Sequence, residues 1–144
     1  MIIVVRNYDL EKRLINFACK NLDIVERLPT NRVGNYFAGQ LIRAGNSPAF
    51  NYSEAQSAES RSDFIHKMRV VLKELKECRT ALSIISIQKM IQPPQILMEQ
   101  LKESEELIAI VAASIETANR NRAVEENKRL SKTSKPSNKE NFNE

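Results

Sequence analysis

Apolar residues recur at steps of three and four along four long segments, the period of amphipathic helices. In the first, Leu10, Leu14, Phe17, Ala18, Leu22, Val25 and Leu28 predict a helix from about Asp9 to Leu28, ended by Pro29. The leading MIIVVRNY is rich in β-branched residues and reads as a short extended arm or as the approach to that helix. A second helix begins at Thr30 or Asn31 and turns Val33, Tyr36, Phe37, Leu41 and Ala44 inward. Pro48 lacks an amide donor and clashes with the preceding turn, so a kink or break is predicted there. The pattern resumes through Ala49 and Tyr52 towards Ala55 and Ala58. SRSD at Ser60 to Asp63 resembles a capping box with aspartate in the glutamate position, and opens the third helix. Its stripe is Phe64, Met68, Val71, Leu75, Cys78, Leu82 and Ile85, and it ends between Ser86 and Met90. After the turn QPPQ, a fourth helix runs from about Pro94 to Asn119 with Leu97, Leu101, Ile108, Val111, Ala112 and Ile115 inside.

Three glycines and five prolines in 144 residues leave little material for turns. Four periodic segments with short links therefore predict an all-α fold, an antiparallel up-and-down four-helix bundle with a kink near Pro48. The last half of the stretch after Asn119 is nearly free of apolar residues and rich in Ser, Lys and Asn, a composition that cannot offset the entropy of ordering. Disorder is expected from about Ser131. The predicted division is a bundle over 1–122 and a basic, largely disordered tail over 123–144.

The net charge of +4 is unevenly distributed. Arg120 to Glu144 carries seven basic and four acidic residues, so most of the excess lies in the tail. The third helix carries a stripe of Arg69, Lys73 and Lys76; the fourth carries Glu99, Glu103 and Glu106. Opposed stripes can set packing order within one bundle or register between subunits. The basic stripe, with Lys128, Arg129 and Lys132 of the tail, can instead contact phosphates without reading sequence. With aromatic residues at 6%, stacking on single strands has weak support from composition. A solvated helix face and a solubilising tail explain the same charges.

No motif assembles an acid, a base and a nucleophile. GNYFAG at Gly34 to Gly39 lacks the spacing and lysine of a phosphate loop. The single histidine, His66, reads as a surface or packing residue. Glu54, Glu74 and Glu77 could face the interior, but di-iron bundles use Glu-x-x-His segments and none occurs here. Cys19 and Cys78 fall on apolar faces and read as buried thiols of a reducing compartment, with no disulfide. No stretch reaches the roughly 20 apolar residues of a membrane span. The expectations are a cytoplasmic location, no cofactor or metal, and no enzymatic activity.

One segment remains: QLIRAGNSPAFNYSEAQ, Gln40 to Gln56. Its Gln40, Arg43, Ser47, Asn51 and Glu54 recur at steps that place them on or near one helix face. With SRSDFIHKMRVVLKELKE at Ser60 to Glu77, this segment resembles the 23S rRNA intervening-sequence proteins, also called S23-like proteins. The Gln-Leu-x-Arg-Ala group of that family matches Gln40, Leu41, Arg43 and Ala44. Ser47, Asn51 and Glu54 follow in order, Ser60, Asp63 and Phe64 match the next helix start, and Glu77 matches a later glutamate. The likeness is good from Leu28 to Ile87, departs at Ala81 where many relatives carry an aromatic, and does not include the tail. The resemblance implies a four-helix bundle forming a homo-oligomer, with a ring-shaped pentamer the expected arrangement, and an undefined biochemical role. A related bundle that accompanies reverse transcriptases looks like a basic adaptor for nucleic acid and a nucleic-acid-processing protein. A protein-binding scaffold without nucleic-acid contact is the competing expectation. Within this frame the polar residues read as a seam at the Pro48 bend. Asn51 would satisfy backbone groups freed by the proline, and Arg43 would pair with Glu54 or Glu77.

Overall fold

In the computed structural model, residues 2–134 are described, with side chains from Leu10 onward. Four helices follow one another: α1 (Ile2–Arg27), α2 (Arg32–Gln56), α3 (Arg61–Ile87) and α4 (Gln95–Thr133). Each packs against two neighbours, in the cycle α1, α2, α3, α4, which is an antiparallel up-and-down bundle. Among the described residues there is no strand.

Capping chemistry sets the helix ends. The Asn31 side chain accepts from the Gly34 amide at 2.9 Å and starts α2. Ser60 accepts from the Asp63 amide at 3.0 Å and starts α3, the serine half of the predicted capping box. At the end of α3 the Lys89 and Met90 amides donate back to Ser86 and Ile85. Lys89 there adopts φ 52, a left-handed conformation that favours glycine.

The core runs through all four helices, with Leu14, Phe17, Ile24, Leu41, Ile65, Met68, Leu75, Leu82, Leu97 and Leu107 fully buried. Several expected inner positions lie outside. Val33 and Tyr36 are exposed at 55% and 62%, and Leu22 and Ala112 are exposed as well. Cys19, read as buried, is also exposed; Cys78 is buried, and both thiols are free.

Three boundaries differ from the sequence reading. The MIIVVRNY stretch is not an extended arm: α1 is helical from Ile2. Helix α2 is continuous through Pro48, which excludes the break and leaves the kink as the expectation. Its continuation is held by the burial of Leu41, Ala44, Pro48, Tyr52 and Ala55 on one face. Helix α4 continues past Asn119 and past 122 to Thr133, although 123–134 bury nothing. Good helix formers such as Ala123, Glu125, Glu126, Lys128 and Arg129 sustain this extension. The part of the expected disordered tail after Ser134 lies outside the described residues.

A buried polar contact ties α1 to α4. Gln100 donates to the Phe17 carbonyl at 2.8 Å and to the Asn21 side-chain oxygen at 2.9 Å, with Gln100 and Asn21 both fully buried. Gly45 lets α2 approach the same place, since a Cβ there would meet the Asn21 amide nitrogen at 2.7 Å.

Candidate nucleic-acid interface

The polar residues of Gln40 to Gln56 do not form one seam. They divide into three sets, two of them joining α2 to α3 and one within α2. The largest centres on Arg43, whose guanidinium donates to Glu77 at 2.8 Å, to Glu74 at 3.2 Å and to Gln40 at 3.2 Å. Arg43 therefore takes Glu77 of the two expected partners, and Glu54 pairs instead with Lys67 at 2.8 Å. Ser47 and Asn51 make the third set. The Asn51 amide donates to the Ser47 carbonyl and hydroxyl, both at 2.9 Å. The carbonyl that Pro48 deprives of a donor is that of Ala44, four residues back. Asn51 thus does not take the compensating role expected of it.

The Arg43 cluster spans a gradient of burial, and its charges respond. Glu74 is buried, while the side chains of Glu77 and Arg43 are partly exposed. Burial, with the charge of Glu77, pushes the Glu74 carboxyl above its ordinary range. The hydrogen bond from Arg43 holds Glu77 below that range. Burial also pushes the neighbouring Cys78 thiol up to about 12, which leaves it unreactive at neutral pH. In the sequence Glu74 stands among the carboxylates that could face the interior, but not as a partner of Arg43. Its place between Val71 and Cys78 on the inner stripe of α3 was the available signal.

Outside this cluster, α2 and α3 border an open groove of about 670 Å³. Its α3 wall carries Arg69, Lys73 and Lys76, all exposed, with Leu72, Ala81 and Ile84 between and beyond them. The α2 wall is Tyr36, Phe37 and Gln40. Among the described residues, Arg69, Lys73 and Lys76 make no salt bridge, although the charge of Lys73 favours the ionised forms of Glu74 and Glu77. The cations around them are matched: Arg43 and Lys67 as above, Arg79 with Glu105 and Arg61 with Glu125.

The acidic stripe on α4 is engaged elsewhere. Glu103 and Glu106 both bind Arg13 of α1, at 2.6 and 2.7 Å, and Glu99 is exposed. The opposed stripes therefore do not meet within the chain. Lys128, Arg129 and Lys132 are exposed on the α4 extension. The pairs Arg61–Glu125 and Arg79–Glu105 set the antiparallel register, and place Lys128 roughly 18 Å along the bundle from Arg69 at 1.5 Å per residue. The two basic sets are separate patches.

His66 is exposed. Among the described residues, no group of three or more His, Cys, Asp or Glu is placed to hold a metal ion. No described helix is long and apolar enough to cross a membrane.

Comparison with known proteins follows the same fold. A solved structure from Bacteroides thetaiotaomicron VPI-5482, described as a protein with unknown function from the S23 ribosomal protein family, superposes with a TM-score of 0.69. It is 24% identical, with 76% of this chain and 97% of that chain covered, and so speaks for the fold alone. A comparison with curated proteins found no match. A sequence model described as 23S rRNA-intervening sequence protein matches residues 6–113, a span that holds all of α2 and α3 and the whole Arg43 cluster. The chain is therefore a four-helix bundle that belongs to the 23S rRNA-intervening sequence protein family.

Proposed function

We propose that this protein is a non-enzymatic, self-associating bundle that binds nucleic acid through its phosphates. Arg69, Lys73 and Lys76 of α3 make the principal contacts in this reading. Lys128, Arg129 and Lys132 add attraction at a second patch. The observation that carries it is an exposed α3 stripe that makes no salt bridge among the described residues, beside cations that do. Three exposed charges at i, i+4 and i+7 on one helix make no salt bridge among the described residues, and phosphate is the ligand that such a row serves without base readout. The Arg43 cluster is the support of this face: it joins α2 to α3 and holds the groove walls in register.

Self-association, with a pentameric ring as the arrangement implied by the family resemblance, has separate support. Ile42 and Phe50, about two turns apart on α2, are 46% and 72% exposed. The same residues favour a second reading, a protein-binding scaffold.

Light scattering coupled to size exclusion, with and without short RNA and DNA, tests the proposal. The expected result is an oligomer that gains nucleic-acid mass at low salt and releases it as salt rises. A folded oligomer that gains no mass at low salt overturns the nucleic-acid reading. One stoichiometric protein partner, retained after nuclease treatment, would then support the scaffold. A monomer overturns self-association.

A further inference from the structure

The groove between α2 and α3 has chemistry at its two ends that a row of phosphate contacts does not use. On α3 it runs from Arg69 to Ile84, roughly 22 Å at 1.5 Å per residue. Arg69, Lys73 and Lys76 occupy one part. The other is aromatic and aliphatic, bounded by Tyr36, Phe37 and Ile84. Tyr36 is 62% exposed, and its ring stands edge-on to that of Phe37, with centroids 5.2 Å apart and planes at 87°. Phe37 is half-buried against the core, so it fixes the Tyr36 ring from one side.

We propose that this groove holds a single-stranded segment of nucleic acid, with an unpaired base stacked at Tyr36 and the adjoining phosphates on Arg69, Lys73 and Lys76. The proposal rests on the nucleic-acid reading above and names the strand form that the face selects. Charge complementarity argues for the occupant: Arg69, Lys73 and Lys76 are exposed and make no salt bridge among the described residues, and such a row attracts an anion. The single carboxylate in the groove, Glu77, is already held by Arg43. The aromatic end then chooses among polyanions. A paired duplex presents phosphates to the cations but keeps its base faces stacked inside, leaving Tyr36 uncovered. A single strand offers both groups along one chain, and base stacking on an exposed aromatic ring tolerates any sequence. Sequence reasoning missed this because helical period turned Tyr36 inward.

The test uses the full chain and fluorescein-labelled oligouridylate, oligothymidylate and a short DNA duplex, measured by anisotropy. The variants are Tyr36→Leu, Tyr36→Phe and the triple Arg69→Gln/Lys73→Gln/Lys76→Gln. Tyr36→Leu is expected to weaken single-strand binding about fivefold to a hundredfold. It should leave duplex binding unchanged, while Tyr36→Phe retains wild-type affinity. The triple variant should weaken binding of every probe. The chain has no Trp, so quenching of tyrosine emission by the unlabelled single strands provides a second readout of stacking. If wild-type protein binds none of the probes, both this proposal and the reading beneath it fail. If binding occurs and the triple variant loses it, but Tyr36→Leu binds single strands as wild type does, the reading stands and the stacking proposal falls. A change of oligomer mass in Tyr36→Leu with single-strand affinity intact overturns it too, because the occupant is then a second copy of the chain. Because Tyr36 is exposed, these variants are expected to fold, which their thermal melts check.

Discussion

At the scale of single residues, two positions show how close contacts constrain this chain. A Cβ on Gly34 would sit 1.7 Å from the carbonyl oxygen of Pro29, a backbone atom that cannot swing aside. Gly34→Ala is expected to destabilise the bundle by about 3 kcal/mol, as overpacking does, and chemical denaturation will measure it. Gly39 faces open space, and Gly39→Ala serves as the control. The second position is the Glu74–Glu77 pair. Glu77 titrates below the ordinary carboxylate value of 4.5, so its contribution is present above that value and is lost as pH falls through its folded pKa. Glu74 titrates above 4.5, so its contribution is present below 4.5 and is lost as pH rises through its folded pKa. Denaturation of Glu74→Gln and Glu77→Gln across this range should therefore show opposite trends. With rising pH, the Glu74→Gln variant gains on wild type and the Glu77→Gln variant falls behind it. Neither trend was accessible from the helical spacing of the sequence, because one follows from the burial of Glu74 and the other from the hydrogen bond that Arg43 gives Glu77.

At the scale of elements, helix existence was legible and helix ends were less so. The Asn31 and Ser60 caps were readable because a cap is a local bond between residues three apart. The end of α4 was not, because a helix can outrun the core that justifies it. Its last buried residue is Ala118, yet it continues to Thr133. The extension is tied back by Arg61–Glu125, an exposed pair of the kind that contributes little. A chain ending at Arg122 is expected to unfold cooperatively with an unchanged midpoint. Its circular dichroism should lack the signal of the 123–133 segment. A molten or aggregated product would show that the extension supports the bundle. The α2 helix teaches the converse lesson. Pro48 reads as a kink or a break, and burial of its neighbours on one face keeps the helix unbroken through it.

At the scale of the whole molecule, charge matching separates structural cations from those available to a partner. Arg13, Arg43, Arg61, Lys67 and Arg79 each find carboxylates on another helix or an adjoining turn of the bundle. Arg69, Lys73 and Lys76 do not, and on the proposed function they meet phosphates. Replacing all three with Gln should lower the slope of log affinity against log salt by about 2 for a single strand, while circular dichroism stays unchanged. Replacing Lys128, Arg129 and Lys132 in the same way reports on the α4 patch separately, since that patch lies at a different level of the bundle.

The sequence by itself determined the all-α class, the four helices, the up-and-down order and the family likeness. These depend on apolar period, caps and short links, all of which are local. The tertiary structure alone decided which partner each charge takes. It assigned Arg43 to Glu77 and Glu74, Lys67 to Glu54, and Arg13 to Glu103 and Glu106. It also turned Tyr36 out into the groove and left Arg69, Lys73 and Lys76 exposed along its α3 wall. The physical reason is that helical period gives the angle of a side chain about its own axis, whereas pairing and exposure depend on the rotation and register of the neighbouring helix.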